Sequence, residues 1–159
     1  RPAREQPMKP IRFCCQATLP QRPEEIASQI LDLSKWPEFN GYGVLPGIKQ
    51  AEFETRTEKT VGTRIRVLNR DGSTHVEEII EWEPTRRLIL RMQEFSPPVS
   101  RLATGFDETW EFQVTDAGTH VVRSFAMHPK TLLTKPALWL ISFLLKQAII
   151  RHLRQIAAG

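Results

Sequence analysis

Two carboxylates stand in unusual company. One alternating set of positions reads Val76, Glu78, Ile80, Trp82, and another reads Phe106, Glu108, Trp110, Phe112. In an extended segment alternate side chains share a face, so Glu78 and Glu108 are each expected beside bulky apolar neighbours. A lone carboxylate taken out of water is costly, and each therefore needs a cationic partner or a raised pKa. Arg123 is a candidate partner, provided the hairpin around residues 116–118 turns it to the same side; a one-residue change of register reverses it. In function, Glu78 or Glu108 can act as a general acid/base or anchor the polar head of a ligand. The structural alternatives are a carboxylate turned to solvent and an ion pair with Arg123.

The other reactive types carry less. His75, His120, His128 and His152 lack metal-ligand spacing such as His-x-x-x-His, and His152 suits a helix end, so no metal and no cofactor are expected. Gly41, Gly43 and Gly47 resemble a phosphate loop only superficially, because no strand precedes them and Pro46 blocks entry into a helix. There is no Gly-x-Ser-x-Gly elbow, and neither cysteine has a histidine near it in sequence. Cys14 and Cys15 are neighbours in the chain, so on a strand they point to opposite faces and read as thiols of a reducing compartment. Arg64, Arg66, Arg86, Arg87 and Arg91 alternate with apolar partners as on a solvated sheet face, which argues against nucleic-acid binding.

The chain that must position these groups has 159 residues, 40% apolar and 25% charged, with a net charge of +4. This suits one domain with a full core and excludes wholesale disorder. Residues 1–10 hold three prolines and read as a flexible lead-in, with residues 11–159 as the domain. The chain opens on Arg1 without a methionine, which leaves room for a native N-terminus upstream. No signal-like run is present, and the longest uncharged run, 136–145, is too short to span a bilayer, so a soluble, cytoplasmic protein is expected.

Period-2 alternation predicts strands over 11–19, 48–57, 63–69, 74–82, 87–95, 105–115 and 119–127, joined by short turns that make neighbours antiparallel. Pro23 followed by Glu24 and Glu25 opens a helix with Ile26, Ala27, Ile30, Leu31 and Leu33 on one stripe. Ser34 can cap a second short helix carrying Trp36 and Phe39. Pro136 then starts a long helix to about 157, whose polar residues, Ser142 among them, form one narrow stripe. An apolar sector that wide calls for burial on more than one side. The order is α+β, with a curved antiparallel sheet of about seven strands wrapped round a C-terminal helix.

From 11 to 157 the chain resembles the START-like (SRPBCC, helix-grip) superfamily, and within it the polyketide cyclase/dehydrase and lipid transport group. The resemblance lies in the stretch from Ile30 to Asn40, with Trp36, Pro37 and Phe39 in its aromatic-Pro-x-aromatic-Asn turn. It continues in Val61 to Arg64, in Glu78 to Pro84 followed by Arg87 and Leu88, and in Gly118 and Thr119. It implies carriers of sterols and other lipids, aromatase/cyclases, quinone-binding proteins or hydrolases, without choosing among them.

A strongly bent sheet and one helix rarely pack flush, so an apolar cavity is expected between them. Its expected lining is Trp36 and Phe39 at the rim, Phe53, Val67, Ile80, Leu90, Phe106, Trp110, Phe112 and Arg123 from the sheet, and Leu140, Phe143 and Leu144 from the helix. The leading functional reading is binding or carriage of a hydrophobic small molecule, lipid, polyketide or quinone-like. The second is an aromatase/cyclase-type enzyme using Glu78 or Glu108 as acid/base. The third is a docking module that meets a membrane or a partner through 136–145 with Lys135 and Lys146.

Overall fold

The computed structural model describes residues 8–159, so residues 1–7 of the expected lead-in lie outside it. Strand β1 (Ile11–Leu19) leads into helix α1 (Pro23–Leu31), which has Pro23 in its first turn and buries Ile26, Ala27 and Ile30. A 3-10 helix, Leu33–Glu38, follows. Its cap is Asp32, whose carboxylate accepts from the Ser34 backbone N–H at 3.2 Å and from its hydroxyl at 2.5 Å. Ser34, expected as the cap, is thus the donor.

The chain then crosses to β2 (Ile48–Thr55) and meanders through β3 (Arg64–Asn69), β4 (Thr74–Glu83), β5 (Arg87–Gln93), β6 (Ala103–Thr115) and β7 (Gly118–Pro129). The seven strands form one antiparallel sheet in the order β1-β7-β6-β5-β4-β3-β2, so β1 closes beside β7 at one edge. β2 stops before Thr57, whose hydroxyl donates to the Val61 carbonyl at 2.7 Å and so turns the chain.

From Phe106 to Phe112 the alternation of β6 is unbroken. Phe106 faces Met127, Glu108 faces Phe125, Trp110 faces Arg123 and Phe112 faces Val121, all toward the core. β4 differs. Ile79 pairs with Leu90, but Glu81 pairs with Ile89 and Trp82 with Leu88, leaving Ile80 as a bulge. One extra residue reverses the alternation. Counting back from Trp82 therefore gives the wrong phase, and it is His75, Glu77 and Ile79 that point inward. Glu78 lies on the convex face, 3.2 Å from Arg64. Of the arginines expected on a solvated sheet face, Arg64, Arg66, Arg87 and Arg91 sit there, whereas Arg86 lies in the β4–β5 turn and pairs with Glu83 at 2.6 Å. Arg64 also pairs with Glu94, Arg87 with Glu81 at 3.0 Å, and Arg91 with Asp107 at 3.0 Å.

Helix α2 (Lys135–Ala158) lies against the concave face. Leu138, Leu145, Ile149 and Leu153 pack with Ile79, Leu88, Phe125 and Met127 from the sheet. Ser142 belongs to this buried stripe, because its hydroxyl donates to the Trp139 carbonyl at 2.7 Å and needs no water. The expected burial of the wide apolar sector on more than one side is corrected accordingly: Trp139, Leu140 and Phe143 face solvent.

The β6–β7 turn depends on Gly118, at φ +131, where a Cβ would stand 2.1 Å from the Leu19 carbonyl oxygen. Gly72, at φ +87, has open space around it. Gly118→Ala should therefore cost at least about 3 kcal/mol in urea unfolding, and Gly72→Ala only about 1–2 kcal/mol. Equal costs would mean that the contact with Leu19 is not limiting.

Candidate functional site

A cavity of about 360 Å³ separates the sheet from α2. Its sheet wall comes from inward positions of β5, β6 and β7: Leu90 and Met92, Phe106, Glu108 and Trp110, and Arg123 and Phe125. Ile141, Leu144, Leu145, Ile149 and His152 close it from α2. Trp36 and Phe39 stand at the rim, the indole N–H of Trp36 donating to the Ile30 carbonyl at 3.0 Å. Phe95 joins Phe106 at a centroid distance of 4.8 Å and His75 at 5.9 Å.

One polar cluster is built around Arg123. Its Nε and Nη2 donate to Glu108 Oε1 at 3.0 and 2.6 Å, and its Nη1 donates to His152 Nδ1 at 2.9 Å. The guanidinium also lies 3.9 Å from the centroid of the Trp110 ring. All three partners are buried or nearly so, which suits a planar, always-charged donor. An arginine can only donate, so Nδ1 of His152 carries no proton and the neutral ring keeps its hydrogen on Nε2. Burial, reinforced by the Arg123 charge, lowers the His152 pKa from 6.5 to about 3. Burial pushes the Glu108 carboxyl up, against the pull of Arg123, and the nearby Glu77 adds to the rise.

A second buried pair, His75 Nε2 and Glu77 Oε2, sits 3.0 Å apart on the same cavity. The arrangement can donate hydrogen bonds to a ligand oxygen from Arg123 and can carry protons at two points of an otherwise apolar wall.

Of the residues expected at the site, Trp36, Phe39, Leu90, Phe106, Glu108, Trp110, Arg123 and Leu144 line the cavity. The others lie elsewhere. Glu78 is on the convex face, and Ile80 forms the bulge. Phe53 sits on edge strand β2 under the Arg56 guanidinium, 4.6 Å from its ring. Val67 and Phe112 are buried in the core without reaching the cavity. Leu140 and Phe143 point away from it, on the outer face of α2. His75, Glu77 and His152 were missed. For His152 the signal was present: it stands three residues after Ile149 and seven after Leu145, on the buried stripe. For His75 and Glu77 there was none, because the bulge hides their phase.

Residues 12–158 match the family model described as polyketide cyclase/dehydrase and lipid transport. No curated protein matches the sequence. Among solved structures, the chain is similar to the Zhui aromatase/cyclase from Streptomyces sp. R1128, with a TM-score of 0.71 and 12% identity over 93% of this chain and 92% of that one. It is also similar to a protein from Thermus thermophilus, with a TM-score of 0.69 and 18% identity over 93% and 95%. A third likeness is to the ginseng major latex-like protein 151 from Panax ginseng, with a TM-score of 0.64 and 13% identity over 91% and 98%. At such identities the likeness is one of fold.

The His152 environment has a measurable signature. Its pKa is depressed in the folded state, so its contribution is complete above pH 6.5 and is lost as pH falls toward about 3. Across that window it removes about 1.4 kcal/mol of stability per pH unit. His152→Asn keeps an acceptor for Arg123 but does not titrate. Urea unfolding between pH 6.5 and 4 should show a shallower pH dependence for the variant; parallel curves would place His152 in contact with water.

Proposed function

The chain belongs to the polyketide cyclase/dehydrase and lipid transport family, and from that premise we propose that it binds and carries a hydrophobic small molecule in the cavity between sheet and α2. The observation that carries this reading is a largely apolar, aromatic-rich cavity of about 360 Å³ whose interior charges already satisfy one another. The volume is of ligand-pocket size, about 300–1,000 Å³. A rigid polar anchor in an apolar wall orients a ligand without performing chemistry on it.

The ligand class follows from the anchor. Arg123 uses three N–H groups on Glu108 and His152, and a guanidinium has about five. The remaining donors suit a carbonyl, quinone or carboxylate oxygen at one end of a flat or extended apolar body. Phe106, Trp110, Phe125 and Phe95 supply the surfaces for that body. Lipid, polyketide and quinone-like molecules share this chemistry.

A cyclase reading has one observation in its favour: two buried proton-carrying groups, Glu108 and the His75–Glu77 pair, face one cavity. Glu108 is held by two hydrogen bonds from Arg123. Arg123 holds that carboxylate in a buried ion pair and ties sheet to helix through His152, whether or not a proton moves, which is why carriage is placed first.

Native mass spectrometry of the purified protein should reveal an apolar adduct, and titration with 1-anilinonaphthalene-8-sulfonate should report the same cavity. Ile141→Trp, which fills the space from α2, should weaken binding at least about tenfold for a stability cost of about 1–3 kcal/mol. Unchanged binding by this variant would sink the cavity reading. Glu108→Gln should weaken an oxygen-headed ligand by a fewfold. Should it leave binding intact but stop conversion of the bound molecule, the cyclase reading replaces the carrier.

A further inference from the structure

The outer face of α2 has two halves of different character. Its N-terminal half presents Trp139, Leu140 and Phe143, 55%, 61% and 57% exposed, just after Leu132 and Leu133, 71% and 92% exposed. Its C-terminal half presents Lys146, Arg151 and Arg154, all exposed. No acidic residue occurs anywhere after Asp116, while Lys130 and Lys135 add positive charge where the helix begins. The loop carrying Val44, 86% exposed, packs beside this face: Gly43 lies close to Leu144, and the Tyr42 ring is 5.2 Å from the Arg151 guanidinium. Val44 also lines the cavity, so the patch borders its rim. The rim acids Glu38 and Asp71 belong to the 3-10 helix and the β3–β4 turn, apart from α2.

We propose that this face docks on an anionic lipid surface, with the apolar half and the Val44 loop dipping among the headgroups and the basic half held by their phosphates. A contiguous set of large exposed apolar side chains marks an interaction site. Its surround selects the partner. A helix with apolar residues on one stretch, cations on the next and no acids suits a negatively charged interface. α2 is not long and apolar enough to cross a bilayer, so it lies in the plane of the surface. A second copy of the chain is a poor occupant, because α2 brings no acidic residue to answer the cations it presents. Docking would bring the rim of the cavity to the lipid, where an apolar ligand can pass without crossing water. The docking itself does not depend on what the cavity holds.

Co-sedimentation with vesicles of phosphatidylcholine containing about 30% phosphatidylserine tests this, with pure phosphatidylcholine as the comparison. Binding should be at least about tenfold tighter to the anionic vesicles and should weaken steeply with added salt. The paired substitution Leu140→Ser with Phe143→Ser, and separately Lys146→Glu with Arg154→Glu, should each lower binding about tenfold or more. Ile141→Trp, inside the cavity, should leave it unchanged. Both surface pairs lie at exposed positions, and circular dichroism is the check that the variants fold. Quenching of tryptophan by brominated lipid should fall sharply with Trp139→Phe. No binding to anionic vesicles, equal binding by the surface variants, or a dimer in sedimentation that Leu140→Ser with Phe143→Ser dissolves would each overturn the proposal.

Discussion

A guanidinium sealed between sheet and helix constrains much of this molecule. Removing an arginine from water costs several kcal/mol unless every side of it is answered. Here the answers come from three directions: Glu108 on the neighbouring strand, the face of Trp110, and His152 on α2. Each answer fixes a piece of architecture. Glu108 and Trp110 hold the β6–β7 register, since a slip of one residue would send Arg123 to the convex face. His152 fixes the rotation of α2 about its axis, because only one helical phase brings Nδ1 to the guanidinium. The same phase sends Leu140 and Phe143 outward. Polar anchor, cavity wall and exposed apolar face are therefore consequences of one arrangement.

The fold was legible because its information is local. Alternation in β6 runs without interruption from Phe106 to Phe112, so Phe106, Glu108 and Trp110 could be assigned to one face from sequence alone. Element order and the resemblance to a known group did the rest, and membership in that group is shown by a match across residues 12–158. The site was less legible, for two physical reasons. In β4 a single unpaired residue, Ile80, inverts the alternation, and nothing in a run of Glu77, Glu78, Ile79 and Ile80 announces it. In α2 the apolar residues occupy so much of the circumference that hydropathy leaves the phase broad, and only a spacing such as that of His152 from Leu145 and Ile149 narrows it. Ser142, which looks like a marker of the wet side, satisfies its own hydroxyl within the helix and sits on the dry one. Both errors are errors of rotation. The residues were the right types on the right elements, turned the wrong way.

The two sides of the sheet divide the electrostatics between them. On the convex face, charges are numerous and exposed, and pairs such as Arg91 with Asp107 settle one another across strands at about 0–1 kcal/mol each. On the concave face charges are few and desolvated, and each is consequential. Glu77 and Glu78 make the point within one peptide unit: one is buried against His75, the other lies beside Arg64 at the surface. Neighbouring residues of the same type thus inhabit different dielectric worlds. That division allows a protein with 25% charged residues to keep a cavity that is mostly apolar.

The pairing of β1 with β7 joins residues a hundred or more positions apart, and α2 follows all seven strands. One edge of the sheet, β1, and the helix that closes the concavity are therefore the first and last elements of the domain. During synthesis, when earlier segments emerge first, β2 through β6 can pair by short turns, but their inner face has no lid. Leu88, Phe106 and Trp110 remain open to any apolar surface nearby until α2 arrives. A vessel assembled in this order has no inside until α2 has emerged and packed against the sheet.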